Sequence, residues 1–282
     1  MSGDEYLSTE ILRHGAYLCI RVRSGTDTAA LARVSIPALA DRLGLENEFD
    51  PPGAPPQQAV GFLRRQAAAA GEIPDEGVEG ADCVVHVASR SSEPVARFCV
   101  EARELVEPYA ELRVLAGVVR PRNYTGAAME KFAYAGAVAP KPGTVMPNGF
   151  LIPMSKTGEW WRKDWMERHT YFLPRYDDEG RMTAEGHALA AAAGIPCILR
   201  RTYHALEQPA PAGSYDFVTY FECADPDVRV FETIRANLRD VKRNPEWKFV
   251  REGPTWRGRR VPAWEDMFVA PPSGRDARRG GS

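Results

Sequence analysis

The residues of this 282-residue chain most capable of chemistry are gathered in one stretch, EGHALAAAAGIPCILRRTYH, from Glu185 to His204. It holds two of the five histidines, His187 and His204, and the adjacent arginines Arg200 and Arg201. Imidazole titrates near neutral pH and is a common metal ligand. A guanidinium stays charged and offers five donors, which suits an anion. Neighbours on a strand point to opposite faces, so only one of the two arginines can serve a given pocket. Taken alone, the stretch also reads as an alanine-rich helix, ended by Gly194 and Pro196, running into a strand. His169, in MERHT, is a further candidate, while His14 and His86 read as structural.

Those side chains need elements to hold them. In the first half, GAYLCIRVR (Gly15 to Arg23), DCVVHVASR (Asp82 to Arg90) and ELRVLAGVV (Glu111 to Val119) read as strands. A helix from Glu93 carries Val95, Phe98, Ala102 and Leu105 at three- and four-residue steps. Residues from Thr26 to Leu45 are helical in character, and RRQAAAAGE reads as a helix end. FDPPGAPPQQ, Phe49 to Gln58, is a proline-rich loop. In the second half, FLIPMS (Phe150 to Ser155), CILRRTYHALE (Cys197 to Glu207), SYDFVTYFE (Ser214 to Glu222) and a last strand, EWKFVRE, follow the same logic. Between the last two lies a helix with Val228, Phe231, Ile234, Leu238 and Val241 at helical spacing. The halves share an order of strand, helical region, strand, helix and strand. That order predicts an α+β fold of two ferredoxin-like units, residues 11–140 and 146–269, with packed antiparallel sheets of the dimeric α+β barrel type. Residues 270–282 are too polar to bury and are expected to be a disordered tail.

Bulk properties narrow the partners. With 36 basic and 38 acidic residues the net charge is −2, which argues against non-specific nucleic-acid binding. Five cysteines, none in a C-x-x-C pair, argue against a disulfide framework or a zinc site. The polar, acidic start lacks the pattern of a signal peptide, and no apolar run reaches the roughly 20 residues a membrane span needs. A soluble cytoplasmic protein with no membrane partner is the expectation.

Several separated segments agree in order with one family. LIPMSKTGEWW, then LRRTYH, YDFVTYFE, a helix, VKRN and GPTWRG resemble the second half of the chlorite dismutase family, related to the coproheme decarboxylases. The resemblance is clear from Asn148 to Met267 and weaker from Ile11 to Ala135. It implies a haem b site with His187 as the iron ligand and Arg200, thirteen positions on, above the iron. His169 lies 31 positions before Arg200, too many for that step, and His204 matches a family residue that is not a ligand. Lys156 matches a lysine that reaches a haem propionate, Trp160 a tryptophan at the haem edge, and Ile152 a cofactor-contacting position. The implied activity is conversion of chlorite to chloride and dioxygen, with a small anion as substrate and a homo-oligomer, a homopentamer in relatives of this length, as the assembly.

Three departures matter. Residues 162–182 form a longer link than usual and could reshape the pocket for a larger substrate. Where chlorite-converting members carry a glutamate that bonds the proximal histidine, VKRN puts Arg243, with Glu246 three residues on as the substitute if the helix end is displaced. Coproheme decarboxylases have a tyrosine where this chain has Ile152 and lack a distal arginine; Tyr171 and Tyr176 are the tyrosines available to replace it. The alternatives are therefore a haem enzyme using peroxide or oxygen on a small organic substrate, a non-catalytic haem-binding sensor or carrier, and a cofactor-free relative of the fold.

Overall fold

The structure, a computed structural model, describes residues 14–45, 60–66, 77–119 and 146–268. The proline-rich loop and the polar tail foreseen above lie outside them. The first unit contains β1 (His14–Val22), short helices α1 (Thr28–Ala32) and α2 (Ile36–Arg42), β2 (Gly61–Arg65), β3 (Cys83–Ser89), α3 (Ser92–Val106) and β4 (Ala110–Val118). The second contains β5 (Asn148–Lys156), α4 (Gly158–Arg162), α5 (Trp165–Thr170), a small hairpin of β6 (Arg175–Tyr176) and β7 (Met182–Ala184), α6 (Gly186–Ala191), β8 (Ile198–His204), β9 (Phe217–Cys223), α7 (Val228–Arg239), β10 (Val250–Glu252) and β11 (Trp256–Val261).

Strand order explains why two ferredoxin-like units are the right description. The first runs β2-β3-β1-β4. In the second, β8 pairs with β9, β9 with β5, and both β10 and β11 lie on the far edge of β5. All pairings are antiparallel. The sheets also join edge to edge, through β11–β2 and through a single pair, Val118 with His204, between β4 and β8. The result is a closed barrel, which removes the exposed sheet edges that two open units would present.

Alternation along the strands sorts side chains into three layers. Tyr17, Leu63, Leu151, Leu199, Tyr203, Tyr220 and Trp256 fill the barrel interior. On the first unit's outer face Leu18 and Val85 pack in one core with Phe98 of α3. The second unit's outer face packs Phe150, Ile152 and Ile198 against Phe231 and Ile234 of α7.

Four expectations are corrected. Arg64 and Arg65 belong to strand β2 rather than to a helix end. EWKFVRE is not one strand: residues 245–249 form a tight 3₁₀ turn before β10, and β11 follows it. On α3, Val106 is buried and Leu105 is 40% exposed, because the helix packs one position further round than the spacing implied. Val241 lies beyond the end of α7 and is exposed. No helix among the described residues is long and apolar enough to cross a membrane.

Candidate functional site

Between the outer face of the second sheet and its helices lies a cavity of about 350 Å³, within the usual range for a small-molecule site. Odd and even positions of β8 separate at this wall. Arg200 and His204 line the cavity, while Leu199 and Tyr203 point into the barrel. Arg201 is buried and lines no part of the cavity; its charge acts instead on buried His86. One arginine of the pair thus serves the pocket, as strand geometry requires. Ile152 and Met154 of β5, and Phe217, Thr219 and Phe221 of β9, complete the sheet wall.

His187 enters from the helix wall, at the second residue of α6. Its position is over-determined by backbone contacts. The N–H groups of Glu185 and Gly186 donate to the Arg243 carbonyl at 2.9 and 3.0 Å, and the His187 N–H donates to the Tyr171 carbonyl at 3.3 Å. Gly186 has φ +68°, and a Cβ there would lie 2.4 Å from the Leu173 carbonyl oxygen, so only glycine fits. Arg243 adds a side-chain clamp, donating to Glu185 from Nε at 2.9 Å and Nη2 at 2.6 Å.

The carboxylate beside His187 is Glu246. Its Oε2 accepts from His187 Nδ1 at 2.7 Å, and its other oxygen accepts from the Lys156 ammonium. The 3₁₀ turn carries Glu246 to this place, while Arg243, beyond the end of α7, turns its guanidinium to Glu185. Burial by itself would raise the Glu246 carboxyl, but the Lys156 and His187 charges and hydrogen bonds win and hold it well below the usual carboxylate range. An anionic Glu246 keeps the ring proton on Nδ1 and leaves Nε2 as the nitrogen with a free lone pair.

Lys156, which the resemblance assigns to a haem propionate, lies with its ammonium on Glu246 and 4.3 Å over the Trp160 ring. Trp160 is fully buried against Tyr171 and Phe249. Tyr171, Tyr176 and His169 do not line the cavity, so the tyrosines of the 162–182 segment are not brought to it. Two other residues of that segment are: Trp165 and Arg168 of α5. Gln208 is a further lining residue that the sequence did not single out. Its amide N–H donates to His204 Nδ1 at 3.1 Å and to the Asp216 carbonyl at 3.2 Å. Buried Asp216 in turn accepts from the Trp161 indole at 3.2 Å and from the Lys156 and Ala210 amides at 2.6 Å each.

No protein-family profile matches the chain, and no curated protein matches it. Solved structures do. A mutant chlorite dismutase from Candidatus Nitrospira defluvii in complex with cyanide aligns with TM-score 0.63 and 19% identity, over 95% of this chain and 98% of that one. Chlorite dismutase from the same organism in complex with imidazole aligns with TM-score 0.62 and 20% identity, over the same shares, 95% and 98%. The chain has the chlorite dismutase fold. Identity this low speaks for the architecture alone, and what the cavity holds must be argued from its own side chains.

Proposed function

We propose that the cavity binds haem b through His187, and that the protein is a haem-dependent oxidoreductase converting chlorite to chloride and dioxygen. The observation that carries this reading is a single cavity with a carboxylate-bonded imidazole on its helix wall and an arginine on its sheet wall. Among the described residues no cluster of three or more His, Cys, Asp or Glu could hold a metal ion. A porphyrin brings most of its iron's ligands with it, so one imidazole suffices. The apolar lining from Ile152, Ile198, Phe221, Phe231 and Ile234 suits its flat face.

When bound, the haem supplies the redox chemistry that breaks and remakes bonds to oxygen. The chain's residues do the rest. Glu246 fixes the tautomer of His187 and raises its basicity. Lys156 keeps Glu246 anionic within the buried pair. Arg200 stays protonated at neutral pH, so it cannot act as a base; it attracts and orients an anion beside the cofactor. The apolar walls exclude water and strengthen that attraction.

The test is oxygen release from chlorite by the haem-reconstituted protein, beside free haem at equal concentration. Release well above the free-haem rate supports the reading, and release no faster than free haem removes chlorite conversion. A haem titration followed at the Soret band tests the ligand: His187→Ala is expected to lose most haem uptake, and undiminished five-coordinate binding would transfer the role to another residue.

A second reading has an observation of its own. Trp165 and Arg168, both from the 162–182 segment, line the cavity. A haem enzyme that uses peroxide or oxygen on an organic substrate has use for such a wall, which a small inorganic anion does not need.

A further inference from the structure

Arg168 has an unusual electrostatic position. It is half-buried, lines the cavity, and is held from two sides by backbone: its Nε donates to the Lys163 carbonyl at 3.0 Å and its Nη2 to the Trp161 carbonyl at 2.9 Å. Its guanidinium lies 5.4 Å from the centre of the Trp161 ring. Carbonyls orient a guanidinium without neutralising it.

The carboxylates nearby are engaged elsewhere. Glu167 and Glu159 lie 2.6 and 3.8 Å from the Lys163 ammonium. Asp164 caps α5 by accepting from the Glu167 N–H at 2.8 Å. Of the acids lining the cavity, Glu246 holds Lys156 and His187, and Glu252 holds Arg239. Among the described residues no carboxylate pairs with Arg168. Beside it stand two indoles. Trp161 is fixed in plane by its bond to Asp216, and Trp165 is 59% exposed, which sets it at the cavity mouth.

The geometry points to a carboxylate subsite at that mouth: Arg168 binds the acid group of an organic substrate whose flat, apolar body rests against Trp161 and Trp165. The inference deepens the second reading above and rests on it for the claim that the ligand is a substrate. A rigid, uncompensated guanidinium supplies a charge-assisted, bidentate contact, and indole faces supply area for a flat ring. The ligand class is an aromatic carboxylic acid.

Equilibrium dialysis of the full chain, before and after haem reconstitution, against naphthoate and its uncharged amide tests this. Wild type is expected to prefer the acid by about tenfold. Arg168→Gln removes the preference, and Trp165→Ala weakens both probes alike. Arg168→Lys, which retains a charge but not the two carbonyl bonds, keeps part of it, whereas a purely structural role would lose it altogether. Haem affinity is expected to be the same in wild type and Arg168→Gln. Equal binding of the two probes by wild type, or a preference that survives Arg168→Gln, overturns the subsite. A drop in haem affinity in Arg168→Gln also overturns it, because the guanidinium then serves a carboxylate of the cofactor. Acid preference in a chain that takes up no haem leaves the subsite standing and removes the haem reading.

Discussion

Glu246 bonds His187 through one carboxylate oxygen and Lys156 through the other, and the side chains of the Lys156–Glu246 pair are only 5% and 4% exposed. Two functions therefore meet in one group, and substitutions can separate them. Glu246→Gln keeps shape and hydrogen bonding but removes the charge. The imidazole loses its anionic partner, so haem affinity is expected to fall about tenfold to a hundredfold and the bound iron to be easier to reduce. Stability falls too, by about 3 kcal/mol, because a buried ammonium loses its counter-charge. Adding Lys156→Met is expected to restore most of that stability and none of the redox shift. Urea unfolding and a reductive titration read the two effects, and a double variant recovering both would mean that the carboxylate does nothing for the ring. In the proposed function Arg200 acts at the same scale, on the substrate anion. Arg200→Ala is expected to leave haem uptake intact while lowering chlorite turnover by about a hundredfold to a thousandfold; an unchanged rate would show that the guanidinium does not face the anion.

The α6 element shows how a short helix can fix an imidazole at a cavity wall with little help from propensity. Gly186, at φ +68°, lets the chain turn under the Leu173 carbonyl, and the Arg243 carbonyl gathers the two amides before His187. Gly186→Ala is expected to cost more than about 1 kcal/mol from the left-handed backbone alone, with further loss from the clash, and to weaken haem binding together with the thermal midpoint. A normal midpoint and normal haem titration would mean that the backbone there relaxes freely. Of the elements, the strands with apolar alternation and α7 were legible in the sequence. Among those that were not are β2, GFLRR, and β11, WRGRRV, because arginines break their apolar pattern. In the fold those arginines are partnered: Arg65 Nε donates to the Ala81 carbonyl at 2.6 Å, Arg260 pairs with buried Glu222 at 2.8 Å, and Arg259 with Asp225 at 2.8 Å. His187, Arg200, Lys156, Trp160 and Ile152 were singled out by the family resemblance, which spacing alone would not have done, and all five line one cavity. The position of Glu246 depended on a 3₁₀ turn that spacing alone does not specify. The approach of Trp165 and Arg168 depended on how a folded insertion packs.

At the scale of the whole barrel, the two units meet at the β11–β2 seam, at the β4–β8 seam, which has one register pair, and through the interior. His86 of β3 crosses to the second unit, with Nε2 3.0 Å from the Tyr203 hydroxyl on β8. Tyr17 of β1 packs between His86 and Tyr220, its ring centre 5.0 and 5.4 Å from theirs. Gly15 makes room for this, since a Cβ there would come within 2.2 Å of the Tyr203 ring. Burial first, and then the charges of Arg260 and Arg201, push His86 well below the usual imidazole range, so it stays neutral in the fold. The unfolded chain, with an imidazole near about pH 6.5, takes up that proton first as pH falls. The His86 contribution is therefore intact above about pH 6.5 and declines below it, by up to about 1.4 kcal/mol per pH unit, until folded His86 is protonated. Other groups titrate in the same window, so the comparison must be with a variant that keeps the Tyr203 hydrogen bond but cannot charge. His86→Gln is that variant. Between about pH 7.5 and about pH 5.5, wild type is expected to lose about 1 kcal/mol more stability than His86→Gln in urea unfolding. Parallel losses would mean that the imidazole is protonated inside the barrel, and that Tyr203 and its neighbours accommodate a charge there.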